Sequence, residues 1–335
     1  MDNYSRLPDG SLYGSLYTGE VQSDGLPKIL PPCEDGVFKA ILTLPEAHVA
    51  LVRLVAAILG RPVRTVLLRN NDAPSRDAQA KQEEFDINCV VDSEDGDQFA
   101  FEMQASQMKG DNRENNHMNI KWRSVFNLCD LHSNQPGRGL DYVDFVRSYQ
   151  VMLCNYKVFD FDNDLVERFT FRNQKGRELC DAVMAMFIDL TSASRIAKKP
   201  VACMSDIECW IVFFALGNAP KYGQIIDEIA KVKEGISVAK DMLLTISQNP
   251  DERARFRSRR IRLQDREHEK AVERKEGIKE GIEKARAEYE PLLANKDAEI
   301  AGKDAEIANK DAEIACKDAE IAALRAKLNE SQEPQ

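Results

Sequence analysis

Two acidic side chains, Asp86 and Glu102, occupy corresponding places in two short alternating runs separated by an acidic turn. In the first run Phe85, Ile87, Cys89 and Val91 alternate with Glu84, Asp86 and Asn88. In the second, Phe99, Phe101 and Met103 alternate with Ala100, Glu102 and Gln104. A period of two marks half-buried strands, and residues 92–96 have the composition of a hairpin loop. Antiparallel pairing with Val91 opposite Asp97 places Asp86 opposite Glu102 and Glu84 opposite Gln104. Directly opposed Cβ atoms lie about 4.5–5.5 Å apart. Carboxylates that close repel unless a positive group stands between them. A hard cation such as Mg²⁺, taking oxygen ligands at about 2.0–2.1 Å, meets that demand. The competing reading is that the acids form the solvated face of an ordinary hairpin, because short motifs also arise by chance.

The elements around this hairpin must hold the two acids in place. DGVFKAIL reads as a short helical entry beginning at Asp35. LPEAHVALVRLVAAILG reads as an amphipathic helix, with proline in its first turn and Gly60 as its stop. VRTVLLRN predicts a strand. The polar residues 107–118 predict a mobile loop over the carboxylate face. NIKWRSVFNLCDLH predicts a helix with Trp122, Val125, Phe126 and Cys129 inward. SYQVMLCNYKVF predicts a buried strand, FTFRNQKGREL a hairpin turning at 173–176, AMFIDLT a strand, and ECWIVFFALG a helix or buried apolar segment. Strands mixed with covering helices predict an α/β domain over residues 35–220.

On either side the composition changes. Residues 1–34, with the local duplication GSLYGSLYTG, predict a disordered tail. Residues 221–288 predict a helical extension. Within it seven arginines lie between Arg253 and Arg266, readable as a phosphate-contacting strip or as a solvated helix whose arginines pair with neighbouring acids. Residues 289–335 carry the heptads KDAEIAG, KDAEIAN, KDAEIAC and KDAEIAA, with Ile300, Ile307, Ile314 and Ile321 in register. Only one seam position is apolar, so these residues form a charged helix or a weak coiled coil that would support homo-oligomers. Glu299–Lys303 and its repeats are Glu-before-Lys pairs, each contributing about 0.2–0.5 kcal/mol.

Composition excludes several function classes. The 335 residues are 43% hydrophobic and 30% charged with a net charge of −10, which argues against a nonspecific nucleic-acid coat but not against a local basic groove. Eight cysteines form no CxxC pair and four histidines are dispersed, which is poor material for a zinc site and suits a reducing compartment. There is no secretory signal at the N-terminus, and the most apolar run is too short to span a bilayer, so a cytoplasmic protein without membrane partners is expected. GxSxG, P-loop and dinucleotide fingerprints are absent.

Asp86, a gap of fifteen residues, then Glu102-Met103-Gln104 across a hairpin resembles the D…ExK core of PD-(D/E)XK nucleases. It is most similar to the ExQ branch, the recombination-promoting nuclease and transposase-associated family. DGVFKAIL, GRGLDY with SYQVMLCNYKVF, and the tail SQNPDERARF…ERKEGIKEGIEKARAE resemble that family's elements in the same order, over residues 35–288. The resemblance implies a restriction-endonuclease-like α/β core, a mixed sheet flanked by helices, ahead of an all-helical C-terminal region with the heptad tail. It implies a metal-dependent DNA endonuclease using Mg²⁺ or Mn²⁺. Asp86, Glu102 and the Met103 carbonyl would bind metal, Gln104 would stand where many relatives have lysine, and Asp35 would complete the metal shell or serve only as a helix N-cap. Lys109, Arg113, Lys121 and Arg123 would contact DNA. The helix after the motif departs from the family pattern of arginine with a tyrosine pair. A catalytically inactive binding or scaffold protein, oligomerising through its tail, is the alternative.

Overall fold

The computed structural model describes residues 26–69, 86–92, 96–105, 113–135, 141, 144–161 and 164–330, with backbone alone for 113–118, 263, 264, 266, 267, 270, 326 and 328–330. The chain divides into two compact units, Met1–Ile261 and Arg262–Gln335.

In the first unit the strands β1 (Val66–Leu68), β2 (Ile87–Val91), β3 (Gln98–Gln104), β4 (Ser148–Cys154), β5 (Val166–Phe169) and β6 (Val183–Asp189) form one sheet in the order β1-β2-β3-β4-β6-β5. The β1, β2 and β3 pairings are antiparallel, β3–β4–β6 is parallel, and β5 closes the far edge antiparallel. β4 is buried along its whole length, as a parallel strand covered on both faces must be.

Alternation along the hairpin feeds two layers. Ile87, Cys89, Val91, Phe99, Phe101 and Met103 enter the larger core. It is covered by α1 (Asp35–Thr43), α2 (His48–Leu59), α4 (Ala193–Ile196), α5 (Asp206–Leu216), α6 (Gly223–Val232) and α7 (Glu234–Gln248). The opposite face receives α3 (Arg113–Ser133), whose Ile120 and Leu128 pack with Met152 and Phe187. α2 stops at Gly60, which takes φ 66°, a conformation glycine adopts without a Cβ clash. α5 starts in a capping box between Ser205 and Glu208. This mixed sheet between helical layers is the α/β architecture expected above. Among the described residues no single helix is long and apolar enough to cross a membrane.

Four expectations are corrected. Order does not begin at Asp35: Leu26, Leu30 and Cys33 are fully buried. Residues 26–33 are tied down by Leu30 N donating to Ser247 Oγ at 3.0 Å. The buried Arg253 guanidinium also donates to Leu26 O at 3.3 Å and to Pro27 O and Ser247 O at 3.0 Å. A segment that buries apolar side chains must have its backbone groups paired as well; residues 1–25, with the tyrosine duplication, lie outside the described residues. Nor does the domain end at 220, since Ile226, Ile229, Ile236, Leu243 and Ile246 of α6 and α7 belong to the same core as α1 and α2.

The predicted loop 107–118 is helical from Arg113 onward, and 107–112 lie outside the described residues. Finally, α3 is turned over relative to its apolar pattern. Trp122, Val125, Phe126 and Cys129 are exposed, whereas Ile120, Ser124, Asn127, Leu128 and Leu131 face the sheet.

In the second unit α8 (Pro250–Glu330) continues as helix. Ile300, Ile307, Ile314 and Ile321 remain exposed. Glu299 pairs with Lys303 at 3.1 Å and with Lys296 at 2.8 Å.

The anchoring of residues 26–33 is testable. Arg253→Ala strands three buried carbonyls and is expected to lower unfolding stability by about 3 kcal/mol, read from the urea midpoint. Arg255→Ala, on an exposed guanidinium paired with Glu252, is expected to stay within about 0.5 kcal/mol. Equal effects of the two would show that the N-terminal segment is not held this way.

Candidate active site

β2 and β3 pair with Ile87 opposite Phe101 and Asn88 opposite Ala100, and Val91 N donates to Asp97 O at 3.0 Å. That is the register deduced from the alternation, and it puts Asp86 and Glu102 on one rung. Asp86 lies just before β2 and turns its carboxyl toward the neighbouring strand, where Oδ2 accepts from Met103 N at 2.6 Å. A strand residue's N–H and C=O point to the same side, so the Met103 carbonyl faces that edge too.

Glu102 is 1% exposed in the middle of the sheet. A charge so buried needs partners, and α3 provides them. The Arg123 guanidinium donates to Glu102 Oε2, Asn127 Nδ2 donates to Oε1, and Gln104 Nε2 approaches Oε2 at 3.4 Å. Arg123 and Asn127 are one helical turn apart, so both reach one carboxylate. Among the residues expected to contact DNA, Arg123 is thus held on Glu102. Lys121 Nζ sits over the Phe159 ring, 4.8 Å from its centroid. Lys109 and the Arg113 side chain lie outside the described residues.

The third carboxyl is Asp35. It is not the N-cap of α1; Glu34 occupies that position, and no side-chain cap bond forms. Asp35 Oδ2 accepts from Arg259 in the first turns of α8. Oδ1 is buried and accepts from no protein donor. The Asp35 carboxyl lies beside that of Asp86 and acts on it. Two acids that touch must share a proton or a cation. Burial raises the Asp86 pKa well above the usual carboxylate range, and the Asp35 carboxyl and its charge raise it further. The Met103 amide and the Arg123 guanidinium pull against that shift. Arg123 therefore acts electrostatically on both hairpin acids.

Gly36 makes the Arg259 contact possible. A Cβ there would come within 2.9 Å of Phe256 Cε1 and 3.4 Å of the Arg259 guanidinium, so a side chain would displace the Phe256 ring. The arginines of α8 divide accordingly. Arg253 and Arg260 are buried and Arg259 serves Asp35, while Arg255 pairs outward with Glu252.

A divalent cation fits part of this arrangement. Hard oxygen donors converge at Asp35 and Asp86, one of them an orphaned buried oxygen, beside the Met103 carbonyl. Among the described residues no group of three His, Cys, Asp or Glu side chains is disposed to hold a metal. Both Glu102 oxygens are taken by Arg123 and Asn127.

Asn127 and Arg259 are two further residues of this cluster. Asn127 carried a weak signal, a polar residue one turn after Arg123. Arg259 lies in the arginine run between Arg253 and Arg266, but nothing in the sequence ties it to Asp35, 224 positions away.

Residues 32–273 match the family model described as PD-(D/E)XK nuclease family transposase, a span that includes every residue placed at this site. No curated protein and no solved structure matches the chain.

The acid contact has a pH signature. With its folded pKa raised, Asp86 stabilises the fold fully below the unfolded value near 3.8, and this contribution is lost as pH rises through the folded pKa. Asp86→Asn keeps an acceptor for Met103 N and supplies a donor for Asp35. In EDTA it is expected to raise the denaturation midpoint at pH 7.5 and leave it unchanged at pH 3.5. A lower midpoint at pH 7.5 would contradict the acid–acid contact.

Proposed function

The chain belongs to the PD-(D/E)XK nuclease family transposases, and we propose that it is a metal-dependent DNA endonuclease acting in the cytoplasm, promoting recombination or serving mobile elements. The observation that carries this reading is three carboxyls, Asp35, Asp86 and Glu102, around one hairpin rung with Arg123 bearing on two of them.

Asp35, Asp86 and the Met103 carbonyl would hold Mg²⁺ or Mn²⁺, and Glu102 would join once released. The ion supplies Lewis acidity toward a phosphate oxygen and lowers the pKa of a bound water. Arg123, freed from Glu102, is left at the site with its donors available for the negatively charged phosphate. Asn127 keeps hold of Glu102 Oε1 and fixes the carboxylate's orientation during that exchange. Gln104 orients a water through its side-chain amide but carries no charge and takes no proton. Arg259 holds the Asp35 carboxyl in place.

The second reading, a nuclease fold that binds without cutting, draws on the saturation of Glu102 by Arg123 and Asn127. In that case the exposed isoleucines of α8 would serve self-association.

Nicking of supercoiled plasmid separates the two. With Mg²⁺ or Mn²⁺ the wild-type chain is expected to convert plasmid to open circles, and EDTA to stop it. Asp86→Ala and Glu102→Ala are expected to fall to background while keeping the wild-type circular dichroism spectrum. Equal conversion by wild type and both variants would remove the proposed site. No conversion by any of them under all three conditions would favour the binding reading.

A further inference from the structure

Burying Asn127 and Ser124 forces the apolar arc of α3 outward. Trp122 is 69% exposed, Phe126 58% and Val125 50%, an unusual cost for a helix in a folded core. Trp122 stands between Lys121 and Arg123, and from Asn115 to Cys129 the helix carries no acidic residue. Arg123 reaches Glu102, so this face adjoins the carboxyl cluster at one residue's remove. On its other flank, Lys121 covers Phe159, which stacks on Phe161 at 5.1 Å between centroids.

Exposed aromatic rings flanked by Lys121, on a helix stretch free of acids and beside the proposed phosphodiester site, match the chemistry of an unpaired DNA strand. Its bases offer flat apolar faces and its backbone offers negative charge. A purely apolar protein surface laid here would desolvate the Lys121 ammonium, whose described contact is the Phe159 ring. An intact duplex keeps its base faces stacked and out of reach.

We propose that the outward face of α3, centred on Trp122 and Phe126, is a stacking platform for unpaired bases, so that the substrate is single-stranded or locally opened DNA. The proposal rests on the endonuclease reading for its location and names the substrate form for that same site.

The chain contains two tryptophans, and Trp210 is buried at 3% exposure, so solvent-sensitive emission belongs to Trp122. The experiment titrates the full chain in EDTA with a short oligothymidylate and with a blunt duplex of equal length. The oligothymidylate is expected to quench the emission. Trp122→Ala and Phe126→Ala are each expected to weaken its binding about tenfold, while Trp122→Phe retains most of it. Duplex binding is expected to change less than twofold.

Absent quenching, or an equal loss on duplex and single strand, would overturn the proposal. So would an emission shift that depends on protein concentration without DNA, which would mean that a second copy covers the face. Because the titration needs no hydrolysis, the two readings fail separately. Plasmid nicking by a chain whose Trp122 stays unquenched sinks the platform alone. Quenching by a chain that never nicks sinks the endonuclease alone.

Discussion

A carboxylate with 1% exposure sits on the third strand of a six-stranded sheet, and the surrounding layers answer to it. Leaving Glu102 unpaired would cost several kcal/mol. Its neighbours on β2 and β4 supply backbone bonds to β3 and no charge. The neutralising groups must come from the layer above, and α3 delivers a guanidinium and an amide one turn apart. Fixing those two residues inward fixes the helix's rotation. Trp122, Val125 and Phe126 then point outward, although burying them would by itself stabilise the fold by several kcal/mol. One buried charge outweighs the hydrophobic pattern because its penalty is concentrated in a single group. The apolar gain forgone is partly replaced by Ile120, Leu128 and Leu131.

The acids on the other side of the hairpin impose a second, longer-range constraint. Asp35 and Asp86 meet at the start of α1, and the cation facing them comes from α8. For Arg259 to arrive, α8 must lie against α1, which the missing side chain of Gly36 permits and the Phe256 ring fills. Arg253, two turns earlier, uses the same helix to close residues 26–30 onto the core. The opening turns of α8 thus stabilise the fold and set the charge of the site together. Removing them would expose Leu26 and Leu30 and leave two carboxyls facing one another.

These two constraints separate what the amino-acid order makes legible from what it hides. The hairpin register was readable because alternation has a period of two, and a one-residue slip would put Phe99 and Phe101 in water. β4 and α5 were readable because a strand or helix covered on all sides shows as a dense apolar run. The rotation of α3 was hidden because periodicity weighs hydrophobicity and does not register that a partner carboxylate lies across the sheet. The sorting of the α8 arginines was hidden for a related reason. Arg253, Arg255 and Arg259 look alike in sequence, yet one caps backbone carbonyls, one pairs with its own helix and one serves the site. Burial of residues 26–33 could not be foreseen from a stretch with two prolines beside Cys33 and little periodicity.

Glutamine at position 104 completes the electrostatic argument. The carboxyls of Asp35, Asp86 and Glu102, with Glu34 beside them, face Arg123, Arg259 and Arg260 here. Burial first, and then the neighbouring Asp35 carboxyl, raise the Asp86 pKa, and Arg123 offsets them only in part. A lysine in place of Gln104 would close the gap with a tethered ammonium, lower the Asp86 pKa and reduce the attraction for a second cation. Glutamine leaves the deficit open. On the proposed reading a dication beside Asp35 and Asp86 would meet that deficit and offer Glu102 an alternative to Arg123. Arg123 would then be available to a phosphate. Neutrality at Gln104 would thus favour cation entry, and the burial of Glu102 would tie that entry to its ion pair with Arg123.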